Sequence, residues 1–163
     1  MSIFRPFCFS AILLSGCASQ PATEMSRDEV LSSRLPGTWE CSLIEKSPDG
    51  NLSIESTDQY LPTGAANSFG SMTISGGELP VELKFAFSVA GTWEIMDEKL
   101  IVTSQDMKIK NVSHPEMDSF FNLEEFMPQG LSDASTIRVL TSEVLVLGID
   151  RNSPPIDCSR IDG

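Results

Sequence analysis

The sequence predicts an all-β protein, a small antiparallel up-and-down barrel of about eight to nine strands with one short helix. Three observations lead there. First, VELKFAFSVAGTWEI puts Val81, Leu83, Phe85, Phe87, Val89, Trp93 and Ile95 on odd positions, with Glu82, Lys84, Ser88, Thr92 and Glu94 on even ones. That period of two marks a long half-buried strand, or two strands in phase. Second, clusters of Pro, Gly and Asp punctuate the chain between apolar segments. Third, Trp39-x-Cys41 and Cys158-x-Arg160 share an antiparallel register, since 41 and 158 sum to 199, as do 39 and 160. Pairing the first strand with the last is the condition for closing a sheet into a barrel.

In chain order, residues 37–46 form the first expected strand, ended by the turn Ser47-Pro48-Asp49-Gly50. A second spans about 51–61 and stops at Pro62-Thr63-Gly64; a short third, about 69–75, stops at Gly76-Gly77. The alternating segment follows. Gly91 falls on its inward face, where a coiled barrel strand uses glycine to bend. Asp97-Glu98-Lys99 turns the chain into a strand over about 100–112. Ser113-His114-Pro115-Glu116 has the spacing of a helix start, with Ser113 as N-cap. The helix is expected over 116–127, with Met117, Phe120, Phe121, Leu123, Phe126 and Met127 on one broad apolar face. It would act as a cap on the barrel, or as a mobile lid or docking surface. Residues 136–140 and 144–149 form an expected hairpin, and 156–161 the closing strand. GTWE occurs at 37–40 and again at 91–94, but its flanks are unrelated, so it is not an internal repeat.

The first twenty residues decide the destination. Arg5 precedes an apolar run from Pro6 to Leu14, followed by small residues, the order of a secretory signal too short to span a bilayer. Leu14-Ser15-Gly16-Cys17 resembles the bacterial lipobox. That resemblance implies cleavage after residue 16 and acylation of Cys17, palmitate included, as a membrane anchor. Ala18 is not the aspartate that often retains such proteins at the inner membrane, so the outer membrane is the expected location. The expected division is therefore a signal at 1–16, a lipidated N-terminus and linker at 17–34, and a barrel domain at 35–163. Removing residues 1–16 takes the formal charge from −12 to −13, because Arg5 is the one charged residue lost. A surface this acidic repels phosphate backbones, which disfavours nucleic acid as a partner.

Of the four cysteines, the lipobox resemblance implies that Cys8 leaves with the signal and that Cys17 is acylated. Cys41 and Cys158 remain in an oxidising compartment and are expected to pair as a disulfide. Closing so long a loop stabilises by up to about 5 kcal/mol. With the cysteines facing, Arg160 falls opposite Trp39, placing a guanidinium over an indole.

Gly37-x-Trp39 on an early strand, with Arg160 on a terminal strand, resembles the lipocalin-like barrels. The resemblance implies that Trp39 and Arg160 close the barrel base in a structural role. Thr57-Asp58-Gln59-Tyr60 lies earlier than the family's middle motif, so what carries over is architecture and a cavity, with no particular ligand. Phe85, Phe87 and Trp93, all on one face, are the candidate cavity lining.

No catalytic constellation is visible. The single histidine, His114, sits at a solvated helix start, and no free thiol is expected in the mature chain. Phosphate loops, HExxH and cysteine–histidine metal spacings are absent from the sequence. Neither an enzyme nor a cofactor or metal is expected. Two functions remain. One is an outer-membrane-anchored barrel holding a small apolar ligand or lipid. The other is an envelope protein-interaction module, an accessory factor or an inhibitor of a basic periplasmic enzyme, with its barrel filled by side chains. The interior discriminates them.

Overall fold

A computed structural model of the chain describes residues 24–77, 81–117, 130–150 and 153–161. Its strands are β1 (Gly37–Ser47), β2 (Gly50–Tyr60), β3 (Ala65–Ser75), β4 (Leu83–Met96), β5 (Lys99–Asn111), β6 (Ser132–Leu140), β7 (Val144–Gly148) and β8 (Ile156–Arg160). Each pairs antiparallel with the next, and β8 returns to β1 to close the barrel. The closing seam has the expected register, Trp39 opposite Arg160 and Cys41 opposite Cys158. The cysteines form a disulfide with Cα atoms 4.0 Å apart, joining residues 117 apart in sequence.

One end of the barrel is solid. Trp39, Tyr60, Trp93, Leu100, Ile137 and Leu145 are buried there in one cluster, joined by Leu31 and Leu35 from outside the sheet. Tyr60 meets Trp93 edge to face at a centroid distance of 6.1 Å. Each tryptophan also needs an acceptor for its indole N–H. Trp39 Nε1 donates to Leu35 O at 2.9 Å, and Trp93 Nε1 donates to Leu61 O at 2.9 Å. Both GTWE segments thus deliver their tryptophans to this base layer, while their glycines differ. Gly37 has φ 145°, a conformation that disfavours side chains. Gly91 sits where a Cβ would lie 2.0 Å from Thr103 O. There the β4–β5 register shifts, with Ala90 opposite Asp106 and Gly91 opposite Ser104. Gln105 is the extra residue of a bulge that coils the strands, at the expected bend.

Residues expected as linker contain an α-helix, α1 (Arg27–Arg34), which plugs the base. Ser26 caps it in a capping box. Its side chain accepts from Glu29 N–H at 3.2 Å, and Glu29 Oε2 accepts from Ser26 N–H at 2.7 Å. Burying Leu31 and Leu35 contributes roughly 1.5–3 kcal/mol each. Asp28 ties the helix to the β4–β5 turn, accepting from Asp97 N–H at 2.9 Å and Glu98 N–H at 3.0 Å. The helix α1 thus packs on the barrel base within the stretch expected as linker.

Three further expectations shift. β3 begins at Ala65, and β6 at Ser132, each four residues earlier than the apolar pattern indicates. Ser113 is not an N-cap, since its Oγ accepts from Lys84 N–H across to β4 at 2.8 Å. Asn111 instead holds the turn, its Oδ1 accepting from Ser113 N–H at 3.1 Å and His114 N–H at 2.9 Å. A short 3-10 helix covers Pro115–Met117. The rest of the helix expected over 116–127 lies outside the described residues.

Candidate functional site

Above the base layer the barrel interior is not filled. A cavity of ≈ 250 Å³ lies between the strands. Its walls are mostly apolar, with Leu43, Ile54, Val89, Val102, Met107 and Ile156 among them. Most of its polar groups come from inward positions of three strands and one bulge, with Ser42 of β1 and Asn67 of β3 also bordering it. β2 alternates Ile54, Ser56, Asp58 and Tyr60 into the interior, β3 brings Ala66 and Ser68, β6 brings Asp133 and Ser135, and Ser104 stands beside the bulge. Leu131 and Asp133 are exposed, so the cavity meets solvent at the start of β6.

Asp58 is a carboxylic acid set within this cavity. Removal from water raises its carboxyl above the ordinary aspartate range, partly offset by hydrogen bonds from Ser68 and Ser56. Burial, with the Asp58 charge second, also pushes the Tyr60 phenol upward. No lysine, arginine or histidine lines the cavity among the described residues. An apolar chamber with a few convergent polar groups has the make-up of a small-molecule site, although its volume is below the ~300–1,000 Å³ of pockets for drug-sized ligands.

Phe85, Phe87 and Trp93 do not line the chamber. They share the inward face of β4, but only Val89 and Gly91 of that strand border the cavity. Trp93 is consumed by the base cluster, Phe85 is buried beyond Val89 at the other end of the strand, and Phe87 lies between. Much of the polar lining comes instead from β2, β3 and β6, where serine and aspartate face inward, and the apolar lining from β1, β2, β4, β5, β7 and β8. The period-two set Ile54, Ser56, Asp58 and Tyr60 was the available signal, masked because polar inward residues do not resemble a core face.

The other singled-out residues fall as follows. The Arg160 guanidinium stands 4.2 Å from the centroid of the Trp39 ring. It also donates to three backbone carbonyls, Ser142 O at 2.8 Å, Pro36 O at 2.8 Å and Arg34 O at 2.7 Å. These carbonyls belong to the β6–β7 turn, the α1–β1 connection and the last residue of α1, so one side chain pins three segments at the base. His114 is at the 3-10 turn, with Nδ1 3.3 Å from Glu116 Oε1. The Glu116 carboxyl is lowered, first by a backbone hydrogen bond within the residue and then by the one from His114. Cys17 lies outside the described residues. No cluster of His, Cys, Asp and Glu suited to a metal occurs among the described residues.

The outer wall carries a second depression over β1, β2, β3 and β8. Glu40, Glu55 and Asp157 border it, with Phe69 59% exposed and Val144 beside it. No protein-family model matches the chain, and no curated protein is significantly similar to it.

Proposed function

We propose that this protein is a lipid-anchored carrier of the bacterial outer membrane, tethered through Cys17, whose barrel holds a small, largely apolar ligand. One observation carries the proposal, the apolar chamber of ≈ 250 Å³ above a solid base. A barrel acting only as a scaffold for surface contacts would be expected to fill its interior with side chains. Here four of the inward positions next to the chamber are small, Ser56, Ala66, Ser68 and Ser135, which leaves space between the larger apolar walls. The Leu14-Ser15-Gly16-Cys17 segment supports the anchoring half of the proposal.

Native mass spectrometry of the protein, purified gently from the envelope, tests both halves. A mass excess that persists on denaturation and maps to Cys17 is the acyl anchor. An additional mass that dissociates on denaturation is the cargo. An unmodified Cys17 would refute the anchor, and a barrel that neither carries nor takes up a small apolar molecule would refute the carrier.

The interaction-module alternative has one observation in its favour, the outer depression with Glu40, Glu55 and Asp157 around exposed Phe69. That surface would suit a basic envelope protein. Recovery of such a partner by crosslinking, lost on Phe69→Ala together with Glu55→Lys, would favour the module over the carrier.

A further inference from the structure

We propose that the chamber selects small amphiphilic amines, with the ammonium group anchored on Asp58 and the apolar body against the β4 and β5 walls. This rests on the carrier function above and names its ligand class.

Charge is the first reason. Asp58 inside the chamber and Asp133 at its mouth are both carboxyls, and no basic side chain among the described residues lines the space to compensate them. A fatty acid or other anionic amphiphile would bring a further like charge into a water-poor site, where repulsion is poorly screened. A cation would instead be drawn through a mouth bordered by Asp133 and meet Asp58 beyond it. Hydrogen-bonding capacity is the second reason. An ionised carboxylate offers about four acceptor positions. The serine hydroxyls of Ser68 and Ser56 donate to Asp58 and leave acceptor positions over. Both donors are neutral, so among the described residues lining the chamber none compensates the charge itself. Size is the third. About 250 Å³ suits a body of roughly six to eight carbons and not a long-chain lipid.

The titratable groups facing Asp58 across the chamber are Tyr60 on the same strand and Asp133 on β6. Cys41 also faces the chamber, but its sulfur is held in the disulfide. Asp58 is therefore the group whose protonation should switch off the preference for amines as pH falls.

The test is calorimetric titration of the purified protein with hexylamine, hexanol and hexanoate, at neutral and at acidic pH. The expected result is hexylamine at least tenfold tighter than hexanol, hexanoate weakest, and the amine preference shrinking at acidic pH. In Asp58→Asn the amine-to-alcohol ratio should fall to near one. Equal binding of all three probes, or an amine preference that survives Asp58→Asn, would overturn the amine selection while leaving a carrier of apolar ligands standing. Binding of none of the three would overturn the carrier function as well. Should Asp58→Asn fail to fold, the three-probe comparison and its pH dependence in the wild-type protein decide by themselves.

Discussion

Replacing Arg160 by alanine should unfasten the barrel base. The guanidinium holds the half-buried Pro36 carbonyl, and losing a charge-assisted bond to such a group costs about 2 kcal/mol. The contact over Trp39, whose ring is fully buried, adds about 1 kcal/mol. The carbonyls of Arg34 and Ser142 can be rehydrated, so their loss costs about 0.5 kcal/mol each. Together the expected destabilisation is about 3–4 kcal/mol, a large share of an ordinary domain's stability. Urea unfolding at neutral pH with the disulfide intact reads it as a fall in midpoint at unchanged slope. Arg160→Lys should recover less than half, because a single ammonium cannot span carbonyls on three segments while lying flat on the indole. A loss under about 1 kcal/mol for alanine, or full rescue by lysine, would refute the assignment of Arg160 as the clasp.

Two further outcomes follow from positions along the cavity wall. Gly91→Ala should destabilise by about 2–3 kcal/mol, since its Cβ meets the Thr103 carbonyl at 2.0 Å and the clash is with backbone; denaturant unfolding within 1 kcal/mol of wild type would show that the bulge can relax. Asp58→Asn should change the pH profile of stability. The folded-state carboxyl is raised above its unfolded value, so its contribution is fully present below about pH 4 and is lost as pH rises through the folded value. The variant should therefore gain on wild type as pH rises from about 3 toward neutrality, by about 1.4 kcal/mol for each unit by which folding raises the carboxyl. A stability difference that stays flat or reverses across that range would remove the buried charge from the account.

Local pattern alone was enough for the architecture. Alternation over Leu83–Ile95, turn chemistry between segments, and the shared register of Trp39 with Arg160 and Cys41 with Cys158 together define a closed antiparallel barrel, because strand period and facing residues are properties of sequence order. The bend at Gly91 was legible for the same reason. The helix α1 was legible in principle, since Ser26-x-x-Glu29 is the same capping signal sought at Ser113, but its apolar stripe is short, with Leu31 its one buried residue. That Ser26 carries a cap while Ser113 bonds to β4 depends on which backbone groups the fold leaves unpaired. The cavity belonged to tertiary structure throughout. Periodicity identifies an inward face by its apolar residues, and a chamber wall replaces some of them with serine and aspartate, as at Ser56, Asp58, Ser68, Asp133 and Ser135. For the same reason the first residues of β3 and β6 escaped notice. Whether large inward side chains such as Phe85 and Trp93 line a space or fill one depends on their height in the barrel, and only the closed sheet with α1 beneath it fixes that height.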